Sequence, residues 1–232
     1  AIYRAKCVDQ HCEPSFDRAR RFHELICKQC CGTSFVLRQC GIGINSLKAI
    51  ADILMHDDHY VHLDLSGNSL GKDGGVVLGD LLRSNSNIVV LQVQSAQLGE
   101  GMMDIAEALH DNNTLTALDF SGIPGIHRNA IWGDIAVSLG VMISTNTVLS
   151  HLNFSHCGLG STARKIIRSA SHHNALSYLN LAGNKIGNEC CESLATLLQE
   201  GTPELLTLNL EENGIGDHGI ETLAMALGSG GT

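Results

Sequence analysis

The sequence predicts an α/β solenoid: a right-handed horseshoe with parallel strands on its concave face, α-helices on its convex face and a helical cap at the N-terminus. Three observations carry that expectation. The stretch His62-Leu63-Asp64-Leu65-Ser66-Gly67-Asn68-Ser69-Leu70 returns nearly unchanged as Leu179-Asn180-Leu181-Ala182-Gly183-Asn184-Lys185-Ile186 and as Leu208-Asn209-Leu210-Glu211-Glu212-Asn213-Gly214-Ile215. Weaker copies start at Phe35, Leu91, Leu118 and Leu152, so successive starts lie 28, 28, 27, 34, 27 and 29 residues apart. After the turn, apolar residues recur at helical spacing, as Val77, Leu78, Leu81 and Leu82 do. A fixed period of this size marks a stack of similar supersecondary units.

Within one repeat, Leu63 and Leu65 point to the same face of a strand, while His62, Asp64 and Ser66 point to the other. The leucines enter the core and the second set lines the concave surface. Asn68 sits where the chain turns off the strand, and its amide can pair backbone groups that would otherwise be buried alone. The equivalent positions are Cys40, Cys157, Asn184 and Asn213, with Ala96 and Ile123 as departures. Ala96 has no side-chain donor, so the third turn must satisfy its backbone another way. Gly71 and Gly74 allow tight passage into the helix. No repeat buries its leucines alone; stacking supplies the core.

The pattern L-x-L-x-x-N/C-x-L, running from Ser34 to Gly228, resembles the ribonuclease-inhibitor-like leucine-rich repeat proteins. That resemblance implies a short strand and a full α-helix in each repeat, and a non-enzymatic protein-interaction scaffold with an unidentified protein partner. The repeat class also includes Ran GTPase activators, which makes GTPase activation an alternative, although no catalytic residue maps onto this chain. Direct inhibition of a basic ribonuclease is a third reading. Cytoskeletal binding is a fourth, since Tyr3-x3-Cys7 followed by Pro14 is similar to the start of some cytoskeletal and flagellar leucine-rich repeat proteins.

Composition narrows the class. The 232 residues are 44% hydrophobic with a net charge of −9, which argues against a nucleic-acid surface built from clustered Lys and Arg. No apolar run reaches the ~18 residues of a membrane span, and no signal peptide is visible. The chain opens at Ala1 rather than Met, which reads as trimming from a longer protein. Nine cysteines, an odd number, fit no secreted disulfide framework and suit a reducing, cytoplasmic location. The glycosylation triplets at Asn112 and Asn153 fall on repeat positions. No cofactor is implied.

Residues 1–33 are expected to cap the first strand. Ala1 to about Gln10 reads as one short helix, Pro14-Ser15 breaks it, and a second helix from Asp17 aligns Ala19, Phe22, Leu25 and Ile26 on one face. The spacing of Cys7, Cys12, Cys27 and Cys30 could close a structural zinc site, with His11 or His23 as substitutes. The simpler reading treats these cysteines as small packing residues.

From the second repeat onward, helices end at polar turns such as Asn85-Ser86-Asn87, Asp111-Asn112-Asn113, Thr145-Asn146-Thr147, His173-Asn174 and Gly201-Thr202-Pro203. Ile88, Leu115, Val148 or Leu149, Leu176 and Leu205 lead back to the next strand. The pairs His56/His59 and His172/His173 read as solvated, and Arg164, Lys165 and Arg168 as a solvated convex face. The glycines of residues 71–75 match no phosphate loop.

The outward strand residues make the candidate partner surface: Arg38, Asp64, Gln92, Asp119, Asn153, Tyr178, Asn180, Asn209 and Glu211, with Ser66, Ser121, Ser155 and Ala182 among their neighbours. The 34-residue spacing adds about six residues within 121–131. A loop there would offer His127 and Arg128 as polar contacts, with Ile126 or Trp132 as an apolar anchor. The alternative is a longer helix with Trp132 packed beneath the loop. At the other end, residues 229–232 read as a flexible tail and leave Leu208 and Leu210 partly uncovered. Further repeats, or self-association through this end, would cover them.

Overall fold

A computed structural model describes residues 1–200 and 204–229 of the chain. The strands β1 (Ser34–Val36), β2 (His62–Asp64), β3 (Val90–Gln92), β4 (Ala117–Asp119), β5 (His151–Asn153), β6 (Tyr178–Asn180) and β7 (Thr207–Asn209) form one parallel sheet in chain order. Phe35, Leu63, Leu91, Leu118, Leu152, Leu179 and Leu208 pair directly from strand to strand, so the repeat starts read in the sequence are the sheet register. Helices α1 (Ile2–Asp9) and α2 (Phe16–Gln29) precede the sheet. Helices α3 (Ile44–Leu54), α4 (Gly71–Ser84), α5 (Gly101–Asp111), α6 (Gly133–Thr145), α7 (Ala163–Ala170), α8 (Cys191–Glu200) and α9 (Asp217–Ser229) follow the strands one for one. The turn expected at residues 201–203 and the tail from residue 230 onward lie outside the described residues.

The core is a set of rows running along the stack. Leu37, Leu65, Val93, Phe120, Phe154 and Leu181 form one row that is wholly buried. Phe120 and Phe154 stack at 6.1 Å within it. Leu149, rather than Val148, takes the buried place before β5. The glycines at the start of α4 serve helix packing: a Cβ on Gly75 would sit 2.2 Å from the Gly101 carbonyl oxygen, so α4 and α5 touch backbone to backbone there.

Two asparagine ladders run through this core. In the first, Asn68 Nδ2 donates to Leu37 O and Leu65 O, both at 2.7 Å, while its Oδ1 accepts from the Cys40 and Ile42 amides at 3.0 Å. Asn184 and Asn213 repeat the arrangement. Cys157 takes part as a thiol donor to Phe120 O at 3.3 Å; burial pushes its thiol pKa well up, which keeps it protonated. At the Ala96 turn a backbone carbonyl replaces the missing side chain, Ala96 O accepting from Leu70 N at 3.1 Å. The second ladder stands at the helix ends. Asn85, Asn112 and Asn146 each donate to a carbonyl at the end of the preceding helix and accept two amides of their own turn.

The fourth turn corrects the alignment made from sequence. Ile123 is not its ladder position; Asn129 is. Asn129 is fully buried, donates to Val93 O (2.7 Å) and Phe120 O (3.0 Å), and accepts from Leu98 N (3.1 Å). The extra residues are therefore Ile123–Arg128, inserted between Ser121-Gly122 and Asn129 in a turn that otherwise reads like Ser66-Gly67-Asn68. After Asn129 the register resumes, with Ile131 N bonded to Cys157 O at 3.0 Å as Leu70 N is to Ala96 O. Helix α6, at 13 residues against 14 in α4, is not lengthened.

At the N-terminus, Phe22, Leu25 and Ile26 of α2 pack on the core beside β1, and α1 lies against α3. Gly43 precedes α3 and has no capping side chain. Asp9 of α1 does the capping from a distance, accepting from the amides of Gly43, Asn45 and Ser46 at 2.9–3.0 Å and from the Ser46 hydroxyl. At the opposite end, Leu208 and Leu210 are half-buried, and Leu206 is 85% exposed.

Candidate functional site

Because each strand is only three residues long, few side chains stand on the exposed face of the sheet, and these interact across repeats. Arg38 Nη2 donates to Gln94 Oε1 at 2.5 Å; Gln94 Nε2 donates to Asp119 Oδ2 at 2.6 Å; Asn153 Nδ2 donates to the same oxygen at 3.1 Å. This chain of polar groups crosses five repeats and converges on Asp119. Beside it, His62 Nε2 meets Gln92 Oε1 at 3.0 Å, and the His151 and Tyr178 rings stack at 5.8 Å. The Tyr178 hydroxyl accepts from Asn180 Nδ2 at 3.3 Å. Gln92, Asp119, His151, Asn153 and Tyr178 line one shallow depression of about 240 Å³, whose apolar part is Val90 and Ala117.

Four of the expected contact residues are thus brought together: Gln92, Asp119, Asn153 and Tyr178. Arg38 and Asn180 border them. Asn209 and Glu211 lie on and just after the last strand, where the Asn209 side chain accepts from the Glu211 amide at 2.9 Å. Asp64 does not present itself. It is 2% exposed, accepts from Ser66 N at 2.9 Å and lies 3.5 Å from Arg38. Ser66, Ser121, Ser155 and Ala182 are also buried, contrary to the expectation that they face outward. Strand alternation ends after the third residue, and there the chain folds under its neighbour: Ser66 Oγ accepts from Gln94 N at 3.2 Å.

The Ile123–Arg128 loop runs along the rim where the strands end. The Ile123 amide donates to Ser95 Oγ at 2.7 Å. Half-buried Ile126 reaches back to the second repeat, its Cδ1 3.5 Å from where a Cβ on Gly67 would lie. Arg128 packs over Gly158 of the fifth repeat, 3.0 Å from a Cβ there. His127 and Arg128 are exposed. Trp132 belongs elsewhere. It occupies the place that glycine takes at Gly71, Gly99, Gly160 and Gly187, and it is 58% exposed on the helix side. Packing beneath the loop is ruled out by that exposure.

The four cysteines considered for zinc do not converge. Cys7 is buried in α1, Cys30 donates to Val36 O at 3.6 Å, and Cys27 is exposed beside His23. Among the described residues no three His, Cys, Asp or Glu side chains gather as a metal site. His173, expected in solvent, is buried. No described helix is long and apolar enough to cross a membrane.

Seven in-register strand–helix repeats with an asparagine ladder define a leucine-rich repeat protein. A family model described as "Leucine Rich repeat" matches residues 61–79, 145–165, 172–195 and 204–224. The chain is 25% identical over 196 residues to "NACHT, LRR and PYD domains-containing protein 14" of Mus musculus, covering 83% of this chain and 19% of that protein. It is 26% identical over 242 residues to "Ribonuclease inhibitor" of Sus scrofa, covering 90% of this chain and 51% of the inhibitor. Among solved structures, "Leiomodin-1 Actin-Binding Site 2 (ABS2)" superposes with a TM-score of 0.51 at 21% identity over 60% of this chain and 79% of that one, a likeness of fold. The chain is a ribonuclease-inhibitor-like leucine-rich repeat protein. It spans about a fifth of the length of the NACHT-containing relative and about half of the inhibitor.

Proposed function

We propose that this chain is a non-enzymatic protein-binding scaffold whose partner lies on the concave sheet face and against the Ile123–Arg128 loop. The observation that carries this reading is the Asp119 depression. An ordered set of polar side chains surrounds a small apolar floor, with one half-buried tyrosine of the type that dominates interface energetics. Its polar groups bond to one another rather than forming a nucleophile and base. Arg38, Gln92, Asp119, Asn153, Tyr178, Asn180, Asn209 and Glu211 supply the face, and Ile126, His127 and Arg128 supply the rim.

The test compares affinity capture by the wild type with capture by Asp119→Ala/Tyr178→Ala, by a deletion of residues 123–128, and by Arg168→Ala on the convex side. Proteins lost from the first two and kept by the third are the expected partners. Identical capture by all four chains overturns the proposal. The likeness to ribonuclease inhibitor and the net charge of −9 support a second reading, inhibition of a basic ribonuclease. It requires stoichiometric loss of ribonuclease activity on addition of the chain.

A further inference from the structure

On the helix side of the stack, away from the sheet face, a groove of about 790 Å³ runs between the N-terminal turns of α4, α5 and α6. Its apolar part is Trp132 with Met103 and Ile135, and its rim carries Glu100, Asp104, Glu107 and Asp134 against a single cation, Lys72. Lys72 is taken by Glu100 at 2.5 Å, and Glu107 pairs with Arg83 at 3.2 Å. Asp104 and Asp134 form no ion pair among the described residues.

The indole is the unusual element. At the matching position other repeats carry a glycine in the left-handed region, such as Gly71 (φ 69°) and Gly99 (φ 52°), and nothing projects there. Here an extended residue carries the only tryptophan of the chain, 58% exposed, at the lip of a groove with surplus negative charge. An aromatic face beside unpaired carboxylates is what a guanidinium or ammonium group seeks, because the ring quadrupole and the carboxylates attract it together.

We propose that this groove binds a basic segment of a protein partner, with an arginine or lysine side chain laid on the Trp132 ring and directed to Asp104 and Asp134. The site is separate from the concave depression, so a partner could engage both faces or either one.

A single tryptophan makes its own emission a reporter of the site. The probe is a fluorescein-labelled peptide of alternating arginine and glycine, titrated at low salt while Trp132 emission and peptide anisotropy are followed. Both signals should saturate together. Asp104→Asn and Asp134→Asn should each weaken the anisotropy-derived Kd about two- to fivefold, and Trp132→Leu about three- to tenfold. The matched control is Glu192→Gln/Glu221→Gln, on the exposed surfaces of α8 and α9, which removes the same charge as Asp104→Asn/Asp134→Asn combined and should leave Kd unchanged. Because both aspartates also lie in helix first turns, thermal melts accompany each variant, and binding is compared well below the melting point. The proposal is overturned by no saturable change in emission. It is equally overturned if the distant control weakens binding as much as the groove variants, which would mean diffuse attraction to an acidic chain.

Discussion

The side-chain amide of Asn129 donates to the carbonyl of Phe120, 3.0 Å away and nine residues behind it. The same bond spans three residues from Asn68 to Leu65 and from Asn184 to Leu181. The difference of six is the excess of the 34-residue spacing over 28, so the insertion sits inside a turn whose hydrogen bonds are kept. Asn129→Ala should therefore cost about 2–4 kcal/mol in denaturant unfolding, because it strands the Val93 carbonyl and the Leu98 amide in a dry interior and leaves the Phe120 carbonyl only the Cys157 thiol. Adding Ile123→Asn to that variant should recover nothing. A loss below about 0.5 kcal/mol would mean that another group takes over the bonds.

His173 holds the place in the helix-end ladder that Asn146 holds one repeat earlier, and it fills that place incompletely. Its Nδ1 accepts from Ala175 N at 3.1 Å, as the asparagine oxygen does, but its buried Nε2 has no hydrogen-bond partner. Burial lowers its pKa below the ordinary histidine value. The folded state thus takes up a proton less readily than the unfolded chain, and stability present above the unfolded pKa of about 6.5 is lost as pH falls below it. His173→Asn should add about 1 kcal/mol at neutral pH by restoring a donor toward the carbonyls at the end of α6. It should also flatten the stability profile between about pH 6.5 and 5. Parallel profiles for the two proteins would show that His173 is not the titrating group.

Asp9 ties the cap to the first repeat. Burial opposes its charge, yet the hydrogen bonds from the side chain and backbone of Ser46 and of Asn45 outweigh it, and the carboxyl pKa is lowered. The sign is opposite in origin to that of His173 but the outcome is alike: the contribution is present above the unfolded carboxyl value of about 3.9 and is lost as pH falls through the lower folded value. Asp9→Ala should cost about 1–2 kcal/mol, the range of a lost helix N-cap. Amide exchange should quicken first in α1 and at the start of α3. If exchange there is unchanged, the cap is held by α2 packing alone.

The stack was legible in the sequence because a two-residue alternation and a 28-residue period leave one register in which every leucine is buried. The concave face was less so. Alternation was extended to Ser66, Ser121 and Ser155, but it holds only while the chain is extended, and after three residues the neighbouring turn covers the next side chain. Asn129 was missed because counting from the strand start assumes an unbroken turn; the spacing Asn-x-Ile at Asn129–Ile131, shared with Asn184–Ile186 and Asn213–Ile215, would have placed it. Trp132 could be set in a glycine position only after that. Asn85, Asn112 and Asn146 each stand three residues before a buried apolar residue, yet turn chemistry already explained them, which concealed the second ladder. The Asp9 cap joins the first repeat to a segment outside the period, where no pattern links them.

Removing residues 123–128 leaves Ser121-Gly122-Asn129, which matches Ser66-Gly67-Asn68 of the second repeat. The deletion discards one hydrogen bond to the rest of the chain, from Ile123 N to Ser95 Oγ, one within the loop, from Ile126 N to Ile123 O, and the partial burial of Ile126. It keeps Asn129, Ile131 and the start of α6. Shortening a turn by six residues also lessens the entropy of closing it, by an amount that grows only with the logarithm of loop length. The two effects are similar in size and opposite in sign, so the shortened protein should unfold cooperatively within about 1 kcal/mol of the wild type. Trp132 emission should stay at its wild-type wavelength, since the indole does not lie beneath the loop. A red shift or a loss of several kcal/mol would show instead that the loop supports the fourth repeat, and its removal could then not be used to separate binding from folding.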